Sequence, residues 1–109
     1  MESGAILNSQ ISASSEYGSQ YVAHLARLHL QAVGGNTGAW ASLVNDLNQW
    51  LQVDLGSKTI VARIATQGRA DWNQWVIEYK LQHSEDGLLF TFHRQNGDNL
   101  DTVPNLIVY

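Results

Sequence analysis

The residues Asn48 to Gly56, NQWLQVDLG, carry two different surfaces on one short segment. In an extended strand successive side chains point to opposite faces, so Leu51, Val53 and Leu55 share one face and Trp50, Gln52 and Asp54 share the other. The apolar set has to be covered by a core. An indole, an amide and a carboxylate instead need polar partners or a ligand. Gly56 ends the run, and the segment is expected to be a core-facing scaffold strand.

The same period of two recurs downstream. It predicts strands at Trp50 to Leu55, Thr59 to Thr66, Trp75 to His83 and Leu88 to Arg94, arranged as antiparallel sheet. Ser84-Glu85-Asp86-Gly87 joins the last two, and Asp-Gly favours a hairpin because both residues tolerate positive φ. Upstream, Gln10 to Ser15 is β-compatible and Glu16 to Tyr21 reads as a first loop. Tyr21, Val22, Leu25 and Leu28 fall at helical spacing for no more than a short turn, before Gly34, Gly35 and Gly38 break any regular element. Gln67 to Gln74, QGRADWNQ, is a long polar loop that nevertheless holds Arg69 and Trp72. Asn96 to Asn105 reads as another loop, and Leu106 to Tyr109 begins a strand.

Length and charge narrow the function. With 109 residues there is room for one domain and one modest core. Six basic against ten acidic side chains give a net charge of -4, which opposes binding to a phosphate backbone, so nucleic acid is not an expected partner. The absence of Cys excludes thiol chemistry, Cys-based zinc sites and internal disulfides. No stretch approaches the roughly 20 apolar residues of a membrane span, and MESGAILNSQ has no basic start followed by an apolar run, so neither an anchor nor a signal peptide is expected within these residues.

Six segments in order, ISASSEY, ARL, GAW, NQWLQVDLG, IATQGR and WVIEYKLQHSEDG, resemble the discoidin domain, also called the coagulation factor V/VIII C-type domain. The resemblance implies an all-β, jelly-roll β-sandwich of galactose-binding-domain-like type, with loops at one end forming a binding rim. It also implies a single domain over residues 1–109, incomplete at both ends and truncated at the C-terminal strands, because the family's terminal Cys pair and closing strands have no counterpart here. Met1 then matches an internal family position. The implied role is extracellular or cell-surface recognition and adhesion. Family ligands include galactose-type sugars, anionic phospholipid surfaces, collagen and other proteins, and the fold does not choose among them.

By position, Tyr17 to Tyr21 and Arg69 to Trp75 correspond to family rim loops, and Arg69 matches a family Arg that contacts ligand. Where some relatives carry Arg-Gly-Asp, this chain has Arg69-Ala70-Asp71, which argues against integrin recognition by that route. The residue chemistry favours a sugar. Flat aromatic faces pack on sugar C–H patches while directed polar groups read hydroxyls, so Trp72 or Tyr17 is the candidate platform, Arg69, Asp71, Asn73 and Gln74 are the candidate readers, and Tyr21 in the first loop is a further candidate ligand-binding residue. Arg69 has a second reading, as a brace paired with Asp71 or Asp54. Trp40, Trp50 and Trp75 are expected in the core or plugging the barrel end.

Cell-surface glycan is therefore the expected ligand. The alternatives are anionic phospholipid or a collagen or protein ligand through the same rim, or a truncated product without activity that self-associates through exposed sheet edges. Catalysis has little to draw on. Glycoside hydrolysis needs two carboxylates roughly 5 to 10 Å apart, and nothing singles out Asp54 with Asp71. His24, His29, His83 and His93 match no ligand spacing, and no G-x-S-x-G turn exists. No cofactor is expected. The alternative is Ca²⁺: some relatives hold a structural Ca²⁺ before their first Trp, where this chain has Gly35-Asn36-Thr37-Gly38, although that loop lacks the acidic residue a hard cation prefers.

Overall fold

A computed structural model describes residues 4–93 and the backbone of strand 105–108. Its strands are β1 (Ile11–Ala13), β2 (Trp50–Val53), β3 (Lys80–His83), β4 (Thr91–Phe92) and β5 (Asn105–Val108). They make one sheet in the order β1-β2-β5-β3-β4. Two 3-10 turns, Asn8–Gln10 and Ala23–Leu25, are the helical pieces among the described residues, so the chain is all-β as expected.

The alternation in NQWLQVDLG does what it predicts. Leu51 and Val53 are buried, while Trp50, Gln52 and Asp54 on the other face are half-buried. β1 runs antiparallel to β2 with Ile11 opposite Val53 and Ala13 opposite Leu51, so one face of the pair is wholly apolar. Ile11, Leu51 and Ala23 of the second 3-10 turn form the core, and Ile6, Ala13, Ala26 and Trp40 pack around them. Burying each of the larger side chains contributes about 1.5 to 3 kcal/mol. Beyond the strand ends the ladder continues, Ser14 N–H donating to the Trp50 carbonyl at 2.9 Å and Asp54 N–H to that of Gln10 at 2.8 Å.

Several expected elements are shorter or differently paired. β2 stops at Val53 rather than Leu55, because the Asp54 carboxylate accepts the Gly56 N–H at 2.7 Å and Gly56 turns the chain at φ 76°. The expected strand at Thr59 to Thr66 has no ladder, and that at Trp75 to His83 contracts to β3. Alternation sorts side chains onto faces, but a strand also needs a neighbouring backbone, and these segments find none among the described residues. Ile60 is 94% exposed and Ile77 86%.

The expected strand at Leu88 to Arg94 is represented by β4, antiparallel to β3 across the predicted hairpin; Arg94 lies outside the described residues. The loop expected at Asn96 to Asn105 also lies outside them, except that Asn105 opens β5. The sheet is not antiparallel throughout: β5 runs parallel to both β2 and β3. Parallel neighbours need long crossover connections, and residues 54–104 lie between β2 and β5 and residues 84–104 between β3 and β5.

Candidate functional site

The first loop is stitched to the segment around Trp40. Tyr17 N–H donates to the Ala41 carbonyl at 2.8 Å, and Ala41 N–H returns to the Tyr21 carbonyl at 3.2 Å. The Trp40 indole N–H donates to the Ser15 carbonyl at 2.9 Å, which satisfies that half-buried ring's polar edge. Thr37 is buried, and its hydroxyl donates to the Gln20 carbonyl at 2.7 Å. Glu16 accepts the Ala23 N–H at 2.7 Å and so caps the turn that enters the core.

These ties hold a pair of tyrosines. The Tyr17 and Tyr21 rings meet edge to face, centroids 5.3 Å apart and planes at 88°, the arrangement that ring quadrupoles favour. Tyr17 remains 62% exposed, while Tyr21 is half-buried because Arg69 covers it. The guanidinium carbon lies 5.3 Å from the Tyr21 ring centre, a cation–π contact.

Arg69 is the hub of the long loop. Its Nε and Nη2 donate to the two oxygens of Asp71, at 2.5 and 3.2 Å, in a bidentate pair. Nη1 donates to Gln74 Oε1 at 3.1 Å and reaches the Tyr21 hydroxyl at 3.4 Å. The backbone closes the same turn, Arg69 N–H donating to the Gln74 carbonyl at 2.9 Å and Gln74 N–H to that of Trp72 at 2.8 Å. The hydrogen bonds from Arg69 hold the Asp71 carboxyl below the ordinary aspartate range, and Asp71 raises the already high Arg69 value. The Arg69 side chain is only 16% exposed.

Five of the expected site residues, Tyr17, Tyr21, Arg69, Asp71 and Gln74, thus form one connected network. Trp72 and Asn73 stand outside it at the turn apex, Trp72 67% exposed. The brace that the sequence offered for Arg69 is formed, with Asp71 as its partner. Asp54 is not its partner, since that carboxylate serves Gly56. Asp54 and Asp71 are each engaged within their own turn, Asp54 by the Gly56 N–H and Asp71 by Arg69.

Trp75 departs from expectation: it is 67% exposed rather than in the core or plugging a barrel end, whereas Trp40 and Trp50 are half-buried. It lines a cleft of about 260 Å³ with Thr66, Gln67, Gly68 and Val76, none of which the sequence pointed to as site residues. Thr37 was equally invisible, because a hydroxyl that ties together loops distant in sequence leaves no local pattern.

The residues of 35–38 do not fit Ca²⁺. Asn36 Oδ1 accepts the Gly38 N–H at 3.1 Å, the Thr37 hydroxyl donates to the Gln20 carbonyl, and among the described residues no carboxylate hydrogen-bonds to this loop. Among the described residues no three His, Cys, Asp or Glu side chains come together as a metal group.

Comparison with known proteins agrees with this architecture. The F5/8 type C domain sequence model matches residues 10–108. The chain is 37% identical over 107 residues to lactadherin of Mus musculus, covering 91% of this chain and 22% of that protein. It is 34% identical over 122 aligned positions to retinoschisin of Mus musculus, covering 97% and 53%. It is 41% identical over 91 residues to coagulation factor V of Pseudonaja textilis, covering 79% and 6%. The chain therefore spans at most about half the length of these relatives.

Proposed function

This chain belongs to the F5/8 type C domain family, with that family's all-β, sandwich-class fold, and from that premise we propose a non-catalytic recognition and adhesion module. It works outside the cell or at its surface and binds cell-surface carbohydrate through the turn 69–74. The observation that carries this reading is Trp72, an indole held two-thirds in solvent on a turn that Arg69 keeps rigid. Leaving so large an apolar face in water is unfavourable unless a ligand covers it, and a rigid platform lowers the ordering cost of binding.

Asn73 beside it offers an amide for hydroxyls, and Tyr17 a second exposed ring. Arg69 acts as a positioning residue, since Asp71, Gln74 and Tyr21 engage its donors. Lipid docking would call instead for a free cation beside the apolar tip, and the cation of this turn, Arg69, is neutralised by Asp71.

A glycan array probed with the soluble chain and with Trp72→Ala is the test. Binding to neutral glycans that Trp72→Ala weakens about tenfold or more supports the proposal. Retention on anionic liposomes or collagen with no glycan binding would replace it with the membrane or matrix alternative.

A further inference from the structure

We propose that the cleft between residues 66–68 and 75–76 is a second binding site, one that takes a single neutral pyranose ring. The choice of ligand class rests on the carbohydrate reading above; the existence of the site rests on the cleft itself. Its walls are Thr66, Gln67, Gly68, Trp75 and Val76, and none is ionisable. The lining offers no countercharge for an ionic ligand, which favours a neutral occupant. At about 260 Å³ the cleft falls just below the roughly 300 to 1,000 Å³ of most small-molecule sites, which suits one ring rather than an extended chain.

The lining has the two chemistries that a sugar ring needs. Trp75 presents an indole face two-thirds exposed. Thr66, Trp75 and Gln67 carry a hydroxyl, an indole N–H and an amide Nε2 that form no hydrogen bond among the described residues. Gln67 is fixed from the other end, because its Oε1 accepts the His29 N–H at 3.0 Å. His29 sits at φ 60°, a conformation uncommon for a residue with a side chain, so the clamp on Gln67 is held against local strain. Gly68 lets the two walls approach: a Cβ there would lie 3.2 Å from the Gln74 carbonyl oxygen and 3.3 Å from Trp75 Cβ.

Two substitutions remove ligand contacts and keep the fold. Thr66→Val deletes a hydroxyl with no internal partner. Gln67→Glu retains an oxygen for His29 and loses the Nε2 donors. The readout is the four tryptophan indole N–H signals in two-dimensional NMR, titrated with methyl β-galactopyranoside and methyl β-glucopyranoside. The expected result is a saturable shift of the Trp75 signal that survives Trp72→Ala and whose apparent Kd rises about fivefold or more in Thr66→Val or Gln67→Glu. A shift confined to Trp72 would overturn the cleft and leave the apex site standing. A Trp75 shift unaffected by Thr66→Val and Gln67→Glu would also overturn it. No shift at either indole would overturn both sites.

Discussion

At Gly38 one hydrogen atom separates a closed loop from a clash. Its φ is 64°, and a Cβ would fall 2.6 Å from the Leu30 carbonyl oxygen and 2.9 Å from the Gln31 carbonyl carbon. Gly38→Ala therefore combines left-handed strain with backbone overlap, and should cost about 2 kcal/mol or more in a thermal melt. It should also loosen the tyrosine pair, which is anchored on this segment through Ala41. Arg69 and Asp71 give the second residue-scale expectation. Because Asp71 titrates below its unfolded value, its support for the turn is fully present above the ordinary aspartate range and is lost as pH falls through the lower, folded value. Trp72 fluorescence should stay flat through neutral pH and change only in strong acid, and Asp71→Asn should remove that acid transition. The pairing of Arg69 with Asp71 was legible in the sequence, since residues two apart across a tight turn can face each other. Tyr21 and Gln20 could not be read as their neighbours' partners, because the contacts of both cross between loops far apart along the chain.

Among the elements, the hairpin from β3 to β4 was the most legible, and its turn shows why. Asp86 Oδ1 accepts the Leu88 N–H at 2.8 Å, the Leu89 N–H at 3.0 Å and the Ser84 hydroxyl at 2.9 Å. Those bonds, the Leu89 one foremost, depress the Asp86 carboxyl to about 2. Local side-chain to backbone chemistry of this kind is written within the six residues from Ser84 to Leu89. Asp86→Ala should speed hydrogen exchange at the Leu88 and Leu89 amides and lower the melting temperature. In the parent chain the protection of these amides, measured against their intrinsic exchange rate at each pH, should fall only as pH drops below the usual aspartate range toward 2, because the depressed value makes this support a property of the ionised form. The segments 59–66 and 75–79 were the least legible for the opposite reason. Their alternation is real, but a ladder is a property of two backbones, and only one of them is visible in a local pattern.

For the whole molecule, the balance of covered and uncovered apolar surface matters most. Among the described residues Ile11, Ala23, Leu25, Leu51 and Val53 are the buried apolar ones, while Ile60, Ile77, Leu88 and Leu89 are each more than three-quarters exposed. Each of the latter forgoes about 1.5 to 3 kcal/mol of burial, a large share of a domain's total stability. The isolated 109-residue chain should bind a hydrophobic dye and associate as its concentration rises in analytical ultracentrifugation. A sharp, concentration-independent melt of a monomer would contradict this. The outer strands of the sheet, β1 and β4, have three and two residues, so the short edges blunt the strand-to-strand route and the exposed side chains dominate. Finally, β5 is the strand through which β2 and β3 share a sheet, although it follows them both along the chain. During synthesis the two halves of the sheet must wait, unjoined, until residues 105–108 leave the ribosome. The closing step is then a long-range and slow one, and a nascent chain stopped before it should be the form that chaperones hold.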